Sequence, residues 1–147
     1  MKYLSLILIT LMFSNCEGTK NVQENNPNAP FETIEQSAYG GKENQSYEII
    51  RSKADLQKEL AGLQLEEKAM NQLRAIDFNN QIVLALHAGT HNTGGFGIEV
   101  ANVEINGTTS YVTVNKTTPK PGEPVTMALT NPYTIVLIDK NETIVFK

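Results

Sequence analysis

The sequence predicts an α+β fold, with two N-terminal helices packed on a mainly antiparallel β-sheet of five or more strands. Three observations carry that expectation. Apolar residues recur at helical spacing over residues 56–76, and from Ile82 onward they run continuously or alternate. Hairpin chemistry then sits at Asn106-Gly107. Helices followed by strands with tight turns are the pattern of a segregated α+β domain.

The elements follow in order. Tyr47-Glu48-Ile49-Ile50 reads as a short strand. Ser52 can cap a helix by accepting from its first free amides, and Asp55 falls in the first turn, where negative charge is favourable. Leu56, Leu60 and Leu63 form one apolar stripe, which Gly62 weakens at its end. Residues 66–76 read as a second helix with Ala69, Met70, Leu73 and Ile76 on one face. The run Ile82-Val83-Leu84-Ala85-Leu86 is the signature of a central strand buried on both faces. Ile98 and Val100 alternate, but Val103 and Ile105 are out of phase with them, so a bulge is expected near Ala101-Asn102. Asn106-Gly107 predicts a type I′ turn, and Tyr111, Val112 and Val114 mark the return strand. Pro119, Pro121 and Pro124 stiffen a loop, after which Val125, Met127 and Leu129 alternate briefly. Residues 133–138 and 143–146 read as two more strands.

The chain has 147 residues, enough for one domain plus extras. With 19% charged and 40% hydrophobic residues it is globular as a whole. Twelve Lys and Arg against sixteen Asp and Glu give a net charge of −4, which argues against a nucleic-acid partner. The single cysteine excludes an intramolecular disulfide and cysteine-based zinc or iron–sulfur sites.

Residues 1–15 have the pattern of a signal peptide. Lys2 is the only charge before Glu17, and the apolar stretch from Leu4 to Phe13 is too short for a hydrocarbon core of about 30 Å. Phe13-Ser14-Asn15-Cys16 resembles a bacterial lipobox. The resemblance implies that Cys16 carries lipid and holds the protein to a membrane of the bacterial cell envelope, outside the cytoplasm. Without lipid, Cys16 would be an ordinary free cysteine. Residues 16–45 are polar and broken by Asn25-Asn26-Pro27 and Gly40-Gly41, and are expected to form a flexible tether. Phe31 and Ile34 can still dock on the domain as an extra strand or turn. The folded domain is expected over residues 46–147.

The unusual segment is Thr90-His91-Asn92-Thr93-Gly94-Gly95-Phe96. Gly89, Gly94, Gly95 and Gly97 permit positive φ and close approach by another chain, and Phe96 offers an apolar anchor. This is the expected partner-binding loop, against the plainer reading of a wide turn. His87 and His91 have H-x-x-x-H spacing, but one ends a strand and the other lies in the loop, so no metal site is expected. No G-x-S-x-G, phosphate loop or dinucleotide fingerprint occurs, and Ser46, Ser52 and Ser110 have no motif around them. The expectation is no catalytic residue and no cofactor.

Asp77-Phe78, the strand 82–86, Gly89 and Thr93-Gly94-Gly95-Phe96-Gly97-Ile98 together resemble the PrcB C-terminal domain family. Further on, the Pro-rich stretch 119–124, Val125-Thr126-Met127-Ala128-Leu129-Thr130 and Pro132-Tyr133 resemble its later segments. The resemblance implies a non-catalytic envelope accessory protein with a protein partner, which for the family's namesake is a surface protease complex. A rival resemblance is to chagasin-like protease inhibitors, whose T-G-[FY] loop enters an active-site cleft. The Asn92–Phe96 stretch is similar in kind but lacks their Pro and their Thr-Thr.

Overall fold

The computed structural model describes residues 30–147; the expected signal peptide, Cys16 and the first part of the expected tether lie outside them. Seven strands and two short helices follow one another as β1 (Phe31–Ser37), β2 (Ser46–Ile50), α1 (Lys53–Leu60), α2 (Glu67–Arg74), β3 (Gln81–His87), β4 (Gly97–Asn106), β5 (Thr109–Thr117), β6 (Tyr133–Asp139) and β7 (Thr143–Phe146). They form a four-stranded sheet in the order β1-β6-β3-β2 and a three-stranded sheet in the order β4-β5-β7.

This corrects the expected fold class in two respects. The helices are not N-terminal to the sheet but lie mid-chain, after two strands, and the strands divide between two sheets. The reason is visible in β3. Its Ile82, Leu84 and Leu86 pack against Ile98, Val100, Val103 and Val112 of the second sheet. Val83 and Ala85 pack on the opposite face with Leu56, Leu73 and Ile76 of the helical region. A strand that is apolar on both faces needs a layer on each. One sheet with helices on one face would leave three of these side chains in water, at about 1.5–3 kcal/mol each.

Residues 31–37, expected within the tether, instead form a strand. β1 pairs antiparallel with β6, from Phe31 opposite Ile138 to Ser37 opposite Tyr133. Phe31 packs into the inter-sheet core and Ile34 into the core under the helices. With one apolar anchor on each face, β1 shows no alternation to read.

Two other local expectations hold and a third is corrected. Ser52 Oγ accepts from the Asp55 amide at 3.1 Å and caps α1. The β4–β5 register slips between Val100 and Asn102, at the predicted bulge, and so brings Val103 back to the core. The β4–β5 turn is shifted by one residue. Asn106 pairs with Thr109, so Gly107 and Thr108 are the central pair, and only Gly107 has positive φ, at 58°. That is the type II′ pattern rather than I′. β7 runs parallel to β5, and Tyr47 of β2 meets Phe146 of β7 with ring centroids 5.1 Å apart, joining the two sheets at their edges.

Candidate functional site

Three connections gather at one end of the molecule: residues 38–45 after β1, 88–96 after β3, and 118–132 before β6. Backbone bonds join them. Ala88 N–H donates to Pro132 O at 2.9 Å, and His91 and Thr130 exchange both backbone bonds at 2.8 and 2.9 Å. Gly94 N–H donates to Thr126 O at 2.9 Å, and Thr130 Oγ1 donates to Thr93 O at 2.9 Å. Thr90 N–H reaches Glu43 O at 3.0 Å, while Gly41 N–H reaches Asn131 O at 2.9 Å.

The glycine-rich loop therefore does meet another stretch of chain, but that stretch is the protein's own proline loop. A Cβ on Gly94 would strike Thr126 Oγ1. Gly95 has φ +87°, and its Cβ would lie 2.9 Å from Pro119 Cγ. Both positions need glycine for internal packing. The imidazole of His91 lies on the ring of Phe96, and both residues are half-buried. Of the expected partner-binding residues, Thr90, Asn92 and Gly95 remain exposed, Thr93 is half-buried, and Gly94 is buried.

Sequence reasoning missed the apolar groups that face outward here. Met127 is 88% exposed, Leu129 62% and Tyr39 57%. Thr126 and Thr130, which flank Met127 and Leu129, are bonded to the glycine loop, and Ala38 beside Tyr39 accepts from Asn131 N–H. The apolar alternation at 125–129 was the available signal. Those residues form no strand, so the pattern marks projecting side chains and not a strand face.

A polar cluster built on the buried His87 and Glu59 lies beneath this end. His87 is fully buried, with Nδ1 accepting from Lys42 N–H at 3.1 Å and Nε2 2.8 Å from Glu59 Oε1. Lys42 Nζ donates to Glu59 Oε2 at 2.8 Å and to Glu48 Oε1 at 2.9 Å. Burial by itself would raise the Glu59 pKa. The hydrogen bonds from His87 and Lys42 and the lysine charge outweigh it, and the carboxyl is held below its ordinary range. Burial likewise opposes the Lys42 charge, and Glu59 and Glu48 outweigh it, so the ammonium is held above its ordinary range. The Tyr133 phenol is pushed up to about 12, first by burial and then by the charge of Glu35.

His87 and His91 are not brought together on a common ligand: one is locked in this cluster and the other stacks on Phe96. Among the described residues no group of three or more His, Cys, Asp or Glu side chains could hold a metal ion. Among them too, no helix is long and apolar enough to cross a membrane.

Comparison with curated proteins gave no significant match, and comparison with solved structures gave none. The family model described as PrcB C-terminal matches residues 82–139. That stretch begins in β3, contains the glycine loop, the β4–β5 hairpin and the proline loop, and closes with β6. The strand, loop and turn segments that carry the likeness are therefore those that build this end of the molecule, and over residues 82–139 the chain is similar to the PrcB C-terminal family.

Proposed function

We propose that this chain is a non-catalytic accessory lipoprotein of the bacterial cell envelope, held to a membrane through Cys16, that binds an envelope protein by its loop end. A protease is the partner class that the family's namesake suggests. The supporting observation is the pair Met127 and Leu129, projecting from a segment bonded at both ends to the glycine loop. Exposed apolar side chains on a well-braced backbone lose little conformational freedom on docking, which favours binding. The binding group shifts from the glycine loop to the proline loop, and the glycine loop becomes its brace. The domain acts by contact and breaks no bond.

The test is crosslinking on intact cells followed by mass spectrometry, comparing the parent chain with Met127→Ser/Leu129→Ser. The expected result is a partner crosslink reduced at least tenfold in the variant. An undiminished crosslink would overturn the assignment of the surface. Turnover by the purified protein, abolished by changing one of its own polar side chains, would overturn the non-catalytic reading. A protease-inhibitor role is disfavoured by the stacked, half-buried Phe96, which is not free to enter a cleft. Papain should accordingly keep its full activity in the presence of the protein.

A further inference from the structure

We propose that His87 is a protonation-sensitive positioning residue: its neutral ring pins residues 41–43 as a clasp between the two rim loops, and protonation at Nδ1 releases that clasp. This rests on the reading of the loop end as the binding surface and adds a regulation of it.

The hydrogen bonds fix the state of the ring. The Lys42 N–H can only donate, so Nδ1 must offer its lone pair. The ring proton then sits on Nε2 and donates to Glu59. A second proton on Nδ1 would set one N–H against another inside a fully buried site. The new imidazolium keeps its attraction to Glu59, so the group that gives way is the Lys42 amide.

What that amide holds makes the consequence specific. On one side of it Gly41 N–H donates to Asn131 O, and on the other Glu43 O accepts from Thr90 N–H. Asn131 leads into β6 from the proline loop, and Thr90 belongs to the glycine loop. The clasp is tight: a Cβ on Gly41 would lie 2.7 Å from Asn131 O and 3.2 Å from His87 Nδ1. It therefore has no room to shift toward either neighbour and must swing outward. Among the described residues the titratable and charged groups around His87 are few. Glu59 comes from α1, Lys42 from the clasp itself, and Tyr133 from β6, its ring stacked at 6.1 Å. Glu48 of β2 acts only through the Lys42 ammonium.

The experiment is a pH titration of the full chain by NMR between pH 7.5 and 5, following the His87 ring carbons and the backbone amides together. The expected result is that the Lys42 amide shift follows the His87 titration, and that protection of the Gly41 and Thr90 amides falls at least tenfold along the same curve. In His87→Asn, whose side-chain oxygen can replace the Nδ1 acceptor, those amides should stay protected across the range. If that variant does not fold, the parent titration decides alone. A His87 ring that titrates while the Lys42 amide stays still would overturn the proposal. So would a ring that does not titrate while the protein remains folded. Crosslinking to the partner at both pH values separates this proposal from the binding reading. A clasp that opens without changing a crosslink that depends on Met127 and Leu129 overturns the regulation and leaves the surface standing. A crosslink insensitive to those two residues overturns the surface.

Discussion

The imidazole of His91 lies flat on the phenyl ring of Phe96, with centroids 3.9 Å apart and planes within 6° of parallel. The stack closes the glycine loop on itself across the Thr93-Gly94-Gly95 segment. Phe96→Ala should therefore act first on stability. Loss of the stack and of partly buried area should cost about 1–2 kcal/mol. Urea denaturation of parent and variant measures it, and an unchanged midpoint would mean that the ring contributes nothing to the loop.

Met127 and Leu129 should behave in the opposite way. Both project into solvent, so Met127→Ser/Leu129→Ser should leave stability within about 0.5 kcal/mol of the parent. Binding to the partner should fall at least tenfold. Urea denaturation together with the crosslinking comparison separates lost binding from lost fold.

Two glycines should respond very differently to the same change. At Gly41 a Cβ meets backbone, Asn131 O at 2.7 Å, which cannot rotate away. Gly41→Ala should destabilise by about 1–3 kcal/mol. At Gly62 a Cβ meets nothing within 4 Å and φ is not positive, so Gly62→Ala should be neutral or stabilising by up to about 1 kcal/mol. Thermal melts of the two variants provide the contrast.

Two carboxylates should shape the acid limb of stability in opposite senses. Glu59 ionises below its ordinary value of 4.5 in the fold. Its contribution is complete above the unfolded pKa and is lost as pH falls through the folded one. Glu59→Gln should thus destabilise at pH 7, with the difference shrinking toward pH 3. Burial, and then the charge of Glu66, hold Glu35 above its ordinary value. Its ionisation opposes folding, so Glu35→Gln should stabilise at pH 7, and that gain should also shrink toward pH 3. Denaturant midpoints measured from pH 3 to 7 test both signs.

The proposed lipid at Cys16 has a direct readout. Labelled palmitate should enter the parent chain and not Cys16→Ala, and the variant should leave the membrane fraction. Equal labelling of the two would overturn the anchor.

Much of the local structure was legible in the residues. The Ser52 cap, the doubly apolar β3 and the bulge in β4 each follow from a few neighbouring side chains and a fixed period. The candidate loop was legible as unusual but not in its role. Glycines that admit a close approach look the same whether the approaching chain is a partner or the protein's own proline loop. The cluster of Lys42, Glu48, Glu59 and His87 was not legible at all, because its members come from four separate segments and no spacing links them.

The sequence alone determined which segments are strands and helices over most of the folded part, since side-chain period and capping act within a few residues. It also carried the likeness to the PrcB C-terminal family. Only the tertiary structure decided that the strands divide into two sheets, that β1 completes the first of them, and that Met127 and Leu129 point outward. The division into sheets follows from covering both faces of β3, and burial on that scale depends on residues far apart in the chain.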